Sequence, residues 1–202
     1  MNKISKVSGI ILAAGFSSRM KTNKALLEMD GKTFLENIFS KLNDCVQEVI
    51  VVLGHGKEEI LSEVKLPGAK IVFNENFKAG QFSSLKKGIS SMRPESEGFL
   101  LNPVDCPGVR KETYREMLEL WALNRSRILI PVFNGRRGHP AIFPASAAGE
   151  ILKSPDDTAG GVKFFLKKYG NAVSYFKTSD KGVIIDADTP EDLLSCKRGI
   201  DG

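Results

Sequence analysis

The stretch GIILAAGFSSRMKTNK, residues 9–24, joins an apolar run to a small, glycine-containing turn and then to two spaced cations, Arg19 and Lys24. Ile10 to Ala14 reads as a strand. Ala13, Ala14 and Gly15 are small enough for a ligand to lie directly against the backbone, as in a glycine-rich nest. Arg19 offers a planar fork of donors and Lys24 a mobile point charge, so the turn suits an anion, a phosphate chain first of all. An exposed loop with two solvated cations is the plainer alternative. The stretch is not a Walker A loop, because GxxxxGK[ST] cannot be laid on Gly15 to Lys24, and it lacks GxGxxG. The nearest approach to that fingerprint, GHGKEE at 54–59, has Glu59 in place of its third glycine and reads as a tight strand-to-helix turn.

Beyond this turn the chain alternates short β-rich runs with amphipathic segments, the pattern of a mostly parallel sheet covered by helices. Strands are expected at 8–13, 48–53, 70–73, 98–101, 127–133, 141–143 and 182–186. In TFLENIFSKL, Phe34, Leu35, Ile38, Phe39 and Leu42 share one helical face, and Thr33 with Glu36 forms a capping box. Further helices are expected from Ser83 or Ser84 through SLKKGISSM, over KETYREMLELWAL, and over DDTAGGVKFFLKKY. A last one starts at TPEDLL, where Thr189 is the N-cap and Pro190 opens the first turn. No repeat, low-complexity segment or linker divides the 202 residues, so one α/β domain is expected.

At 42% hydrophobic and 26% charged the composition is that of a globular protein, and no apolar run approaches the roughly 20 residues that span a bilayer. MNKISKVSG runs straight into a strand and lacks a signal peptide's apolar core and cleavage site. Cys45, Cys106 and Cys196 are odd in number and show no CxxC pattern, which argues for a reducing cytoplasm and against zinc. The formal charge of +5 fits either nucleic acid or a polyanionic small molecule. The cations are scattered, without a basic block or interleaved aromatics, so a phosphorylated substrate is the simpler partner.

Two aspartate-bearing segments are candidates for the chemistry. Asp105 in LLNPVDCP and both Asp186 and Asp188 in VIIDADTP stand just past apolar strands, where ligands collect in open α/β sheets. Magnesium commonly takes one or two carboxylates plus substrate phosphate oxygens, which suits acids arriving from two strand ends. Turn formation before Pro107 and capping of the last helix are the plainer roles for Asp105 and Asp188. In NENFKAGQFSSLKKG, Gly80 permits close approach, and Ser83 and Ser84 open a helix whose free N–H groups could read a base or ribose, or serve only as an N-cap. NGRRGHPAIF gathers Arg136, Arg137 and His139 around two glycines, a set suited to the anionic end of a second substrate. Neither His55 nor His139 has a Ser or Cys partner at a recognisable motif, which argues against a nucleophilic triad.

Taken in order, LAAGFSSRM with its following lysine, N…F…G…SSL, VDCP, GHPAIF and IDADTPEDL resemble the molybdenum cofactor cytidylyltransferases of the MobA-like NTP transferase superfamily. The likeness runs from about residue 8 to 195. It implies a glycosyltransferase-A-like, three-layer α/β/α sandwich whose mostly parallel sheet has one reversed strand. It also implies transfer of a nucleotidyl group from an NTP to the terminal phosphate of molybdopterin, releasing pyrophosphate. Carried over by position, Leu12, Ala13, Ala14 and Gly15 would cradle the nucleotide, with Arg19 and Lys24 on the triphosphate. Asp105 would hold Mg2+ with Asp186 or Asp188. Gly80, Ser83 and Ser84 would lie near base or ribose, and Arg137, Gly138, His139 and Pro140 toward the acceptor. Guanylyl-transferring relatives usually read LAGG where this chain reads LAAG, which favours CTP. The chain departs from the pattern at Lys21, at Cys106 where glutamine is common, at Phe77 where tryptophan is common, and at DDTAGGVK, which has Lys163 but no arginine. A sugar or polyol phosphate as acceptor, and a nucleotide-binding regulatory module, are the rival readings.

Overall fold

The computed structural model describes residues 6–16, 23–156, 158, 160–187 and 192. The first half runs β1 (Val7–Ala13), β2 (Glu28–Met29), β3 (Lys32–Thr33), α1 (Phe34–Asn43), β4 (Glu48–Leu53), α2 (Lys57–Glu63), β5 (Lys70–Phe73) and α3 (Gln81–Ile89). The second half runs β6 (Gly98–Pro103), α4 (Lys111–Ala122), β7 (Ile128–Phe133), β8 (Arg136–Arg137), β9 (Ala141–Pro144), α5 (Ala145–Lys153), α6 (Val162–Tyr169) and β10 (Val173–Lys177).

Except for the β2–β3 hairpin, the strands form one sheet in the order β10-β7-β9-β6-β1-β4-β5, with β8 paired to β7. β1 is parallel to both β4 and β6, and β5 and β10 are parallel to their neighbours. β9 is the reversed strand of the main path, antiparallel to β6 and to β7, and the two-residue β8 is also antiparallel to β7. Period-two alternation divides the core into two layers. Val7, Ile11 and Ala13 of β1, with Val49, Val51 and Leu53 of β4, face α1, α2 and α4. Ile10, Leu12, Ile50 and Val52 face α3, α5 and α6. The three-layer α/β/α sandwich with one reversed strand is therefore as expected.

The capping box is formed: Thr33 Oγ1 accepts the Glu36 N–H at 3.2 Å, and Glu36 Oε2 accepts the Thr33 N–H at 3.0 Å. Gly54 and Gly56 make the tight turn read for them. Gly56 has φ 68° at the N-cap of α2, and a Cβ on Gly54 would stand 2.9 Å from the Ala14 carbonyl oxygen.

Two expectations need correction. The segment 182–186 is not a strand. Lys181–Ile184 is a turn of 3-10 helix, because Asp180 Oδ1 accepts the Gly182 N–H at 2.9 Å and Gly182 packs flat on Gly108. The sheet instead ends on β10, which the pattern did not mark. The helix expected from 156 starts only at Val162, since Gly160 and Gly161 have φ of 80° and 47° and cannot continue a right-handed helix. The helix expected at TPEDLL, together with Lys21, Arg19 and Asp188, lies outside the described residues.

Candidate active site

The carboxyl ends of β1 and β6 lie side by side, with Leu12 paired to Pro103. The small turn after β1 and the aspartate after β6 are thereby brought to one edge. Leu12, Ala13, Ala14, Gly15, Lys24, Gly80, Ser84 and Asp105 all line a cleft of about 370 Å³ there. Lys24 begins a 3-10 turn whose cap, Asn23, accepts the Ala25 N–H at 3.1 Å. This fixes the lysine's backbone and sets its Nζ 3.6 Å from Asp105 Oδ2. Gly80 precedes α3, and no side chain among the described residues caps that helix, so its first-turn N–H groups open on the cleft.

Ser83 and Ser84 differ. Asn74 donates to both hydroxyls, at 2.9 and 3.0 Å. Ser83 in turn donates toward the carbonyls of Gly80 and Asn76 and does not line the cleft, whereas Ser84 does. Asn74, Asn23 and Gln81 have no motif that marks them. Phe16 and Phe77 also line the cleft, their ring centroids 5.2 Å apart, with His55 5.0 Å from Phe16.

The turn that carries Asp105 is held from below. Tyr114 donates to Asn102 Oδ1 at 2.9 Å, and Asn102 Nδ2 donates to the Pro103 carbonyl at 2.8 Å, all within the buried core. Lys41 Nζ donates to the carbonyls of Pro107 and Val109 at 2.8 and 2.9 Å. Burial pushes the Lys41 ammonium below its ordinary pKa, against the pull of Asp180, Asp30 and Glu112. On the other side the Ala187 N–H donates to the Asp105 carbonyl at 2.8 Å, tying the two aspartate segments together.

A second, larger cleft of about 1090 Å³ adjoins the first, and Gln81 and Pro103 line both. Arg137, Gly138, His139 and Asp186 line this one, with Arg136, Lys163 and Lys167 adding positive charge and Asp156 opposing it. Pro140 is buried behind them, leading into β9. Arg137 stacks over the Tyr175 ring at 4.9 Å from its centroid. Gly138 donates to the Pro131 carbonyl and His139 to that of Val183, at 3.0 and 2.7 Å. A Cβ on Gly138 would overlap the Val183 carbonyl, so this close docking requires glycine.

Cys106 lies between the two aspartates. Its Sγ is 3.1 Å from Asp186 Oδ1 and 3.6 Å from Asp105 Oδ1. Burial, reinforced by both carboxylates, pushes the thiol well above its ordinary pKa. Burial likewise pushes His139 below its ordinary value, against Asp186 and Asp105, so the imidazole is neutral at pH 7. Among the described residues no helix is long and apolar enough to cross a membrane.

Two clefts thus adjoin at the carboxyl ends of β1 and β6, and the chain is similar to several known proteins. A probable molybdenum cofactor guanylyltransferase of Bacillus cereus (strain AH187) is 32% identical over 136 residues, 66% of either chain. The molybdenum cofactor cytidylyltransferase of Escherichia coli (strain K12) is 23% identical over 196 residues, covering 96% of this chain and 97% of that one. Rv0371c from Mycobacterium tuberculosis H37Rv has the same fold, with TM-score 0.82, 25% identity and coverage of 96% and 98%. The same mycobacterial protein in complex with manganese gives TM-score 0.78 at 23% identity, over 95% and 98% of the chains. Residues 9–173 match the model of the MobA-like NTP transferase domain. From β1 through α6 to the start of β10, the chain is therefore a member of the MobA-like NTP transferase family.

Proposed function

We propose that the protein is a magnesium-dependent cytoplasmic enzyme that moves a nucleotidyl group, CMP from CTP, onto the terminal phosphate of molybdopterin. The observation that carries this reading is the adjacency of the clefts. One holds the Lys24–Asp105 pair and the open end of α3, the other a set of arginines and lysines, and Gln81 and Pro103 separate them. The nucleotide lies along Leu12 to Gly15, with Gly80 and Ser84 toward base or ribose. The acceptor phosphate lies against Arg137 and the Gly138–Pro140 segment.

The acceptor's phosphate monoester has a second pKa of about 6, so it is largely dianionic at pH 7 and needs no general base. One of its oxygens attacks the α-phosphorus in line. The new P–O bond forms as the bridge to the β-phosphorus breaks, and the electron pair leaves with pyrophosphate. Lys24, with Arg19, stabilises the charge on that leaving group, and the uncapped N–H groups of α3 are aimed at anionic oxygens. The donor set fits a hard cation: the Asp105 carboxylate borders the first cleft beside Lys24, and carboxylate and phosphate oxygens suit Mg2+. Asp105 with Asp186 or Asp188 would hold it, and when bound it supplies charge neutralisation at the phosphates. LAAG in the first loop, together with alignment to the cytidylyltransferase along nearly the whole chain, supports CTP.

Pyrophosphate release from CTP, GTP and UTP, each against molybdopterin and a panel of sugar and polyol phosphates, tests the reading. CTP with molybdopterin should turn over fastest. Faster turnover with GTP or a sugar phosphate overturns the substrate assignment, and binding without any turnover makes the protein a regulatory module.

A further inference from the structure

Cys106, His139 and Asp186 come from the turn after β6, the segment before β9 and the segment before the end of the described chain, yet each offers a ligand atom within 4.8 Å of the others. We propose that these three side chains form a site for one borderline, thiophilic divalent ion of the zinc or cobalt(II) type, separate in chemistry from the oxygen-only site of Asp105.

Four observations carry the assignment. In a tetrahedral site with bonds of roughly 2.0–2.3 Å, donor atoms stand roughly 3.3–3.8 Å apart. The Cys106 sulfur and Asp186 Oδ1 are already at 3.1 Å, so small side-chain rotations complete the set. His139 Nδ1 is buried without a hydrogen-bond partner among the described residues, an expensive state that ligation through Nδ1 would relieve. The backbones are pinned to one another: His139 N–H on the Val183 carbonyl at 2.7 Å, Ala187 N–H on the Asp105 carbonyl at 2.8 Å, and Cys106 N–H on the Pro103 carbonyl at 3.2 Å. The donors are one sulfur, one imidazole nitrogen and one carboxylate oxygen, a combination that favours zinc-like ions over magnesium.

Three protein ligands leave a fourth position, and His139 and Asp186 line the larger cleft, so that position faces the acceptor side. Binding expels the thiol proton, and the ion takes the resulting thiolate as ligand. Assigning Asp186 here leaves Asp188 as the partner of Asp105 for the hard cation. The site holds regardless of which nucleotide or acceptor the enzyme uses.

The test uses the full chain, stripped with a chelator and titrated with Co2+. One Co2+ per chain should bind, giving a thiolate-to-cobalt charge-transfer absorption that equimolar Zn2+ abolishes and excess Mg2+ does not. Cys106→Ser should remove the band, while Cys45→Ser and Cys196→Ser should keep it. Because Cys106 is buried, His139→Gln and Asp186→Asn serve as independent variants, each weakening Co2+ binding by at least about tenfold, the low end even for an outer-sphere partner. A wild-type protein without the band, a band that survives in Cys106→Ser, or unchanged affinity in both His139→Gln and Asp186→Asn overturns the site.

Discussion

Lys24 and Asp105 meet at the floor of the first cleft, Nζ to Oδ2 at 3.6 Å, one from the 3-10 turn beyond β1 and the other from the end of β6. Neither anchors the core. Lys24→Ala should lower kcat/KM for pyrophosphate release about 10²–10³-fold, the usual loss on removing one charge-stabilising donor. Asp105→Ala should abolish turnover, with an unchanged circular dichroism spectrum. Near-normal turnover in either variant removes that residue from the site.

Adjacent serines of α3 should separate binding from stability. Ser84→Ala should raise the Kd for CTP severalfold, measured calorimetrically, because that hydroxyl borders the cleft. Ser83→Ala should leave Kd alone and cost about 1–2 kcal/mol in urea unfolding, since its hydroxyl is committed to Gly80, Asn76 and Asn74. The reverse pattern would exchange their roles.

Tyr114→Phe removes the phenol O–H that donates to Asn102 Oδ1 and leaves that buried oxygen without this partner. A destabilisation of about 1–3 kcal/mol is expected, read as a fall in the urea midpoint at constant slope. No shift would mean that the Asp105 turn does not depend on this buttress.

Glu36 makes an acid-dependent contribution. Burial pulls its carboxyl upward, but the N–H groups of Lys65 and Thr33, the Thr33 hydroxyl and the Lys32 charge outweigh that and hold it below its ordinary 4.5. A depressed folded pKa means stability that is present above pH 4.5 and is lost as pH falls through the folded value. Glu36→Gln should therefore cost about 1 kcal/mol at neutral pH, the scale of a lost cap, and the gap should close in acid. A gap independent of pH would show that the charge is irrelevant there.

The parts of the fold that were legible in the sequence are those whose burial is one-sided and periodic. The α1 stripe from Phe34 to Leu42 and the alternation in β1 and β4 are of this kind. Helix α2 buries only Ile60, and α5 is built on small residues around Ala147 and Ala148, so neither shows a stripe. β10 is an edge strand, half-exposed along its length, and leaves little alternation to read. GVIID reads as a strand by composition, and what prevents it is a distant glycine, Gly108, against which Gly182 must fit. In the candidate site, residues announced by strand ends and glycines were visible: Asp105, Lys24, Gly80, Arg137. The residues that hold them were not, because Asn102, Tyr114, Lys41 and Asn74 act through contacts between separate elements that no local pattern marks.

β9 runs against its neighbours, with Ala141 beside Leu101 near the end of β6. Its leading loop, not its trailing one, therefore reaches the edge where β1 and β6 finish. Arg136, Arg137, Gly138 and His139 of the second cleft thus sit on one short insert, 134–140, while Lys163, Lys167 and Asp186 reach that cleft from later segments. On the proposed reading, exchanging that insert between relatives should alter what receives the nucleotidyl group while the donor half is left unchanged, a division of labour by which one scaffold could acquire new acceptors.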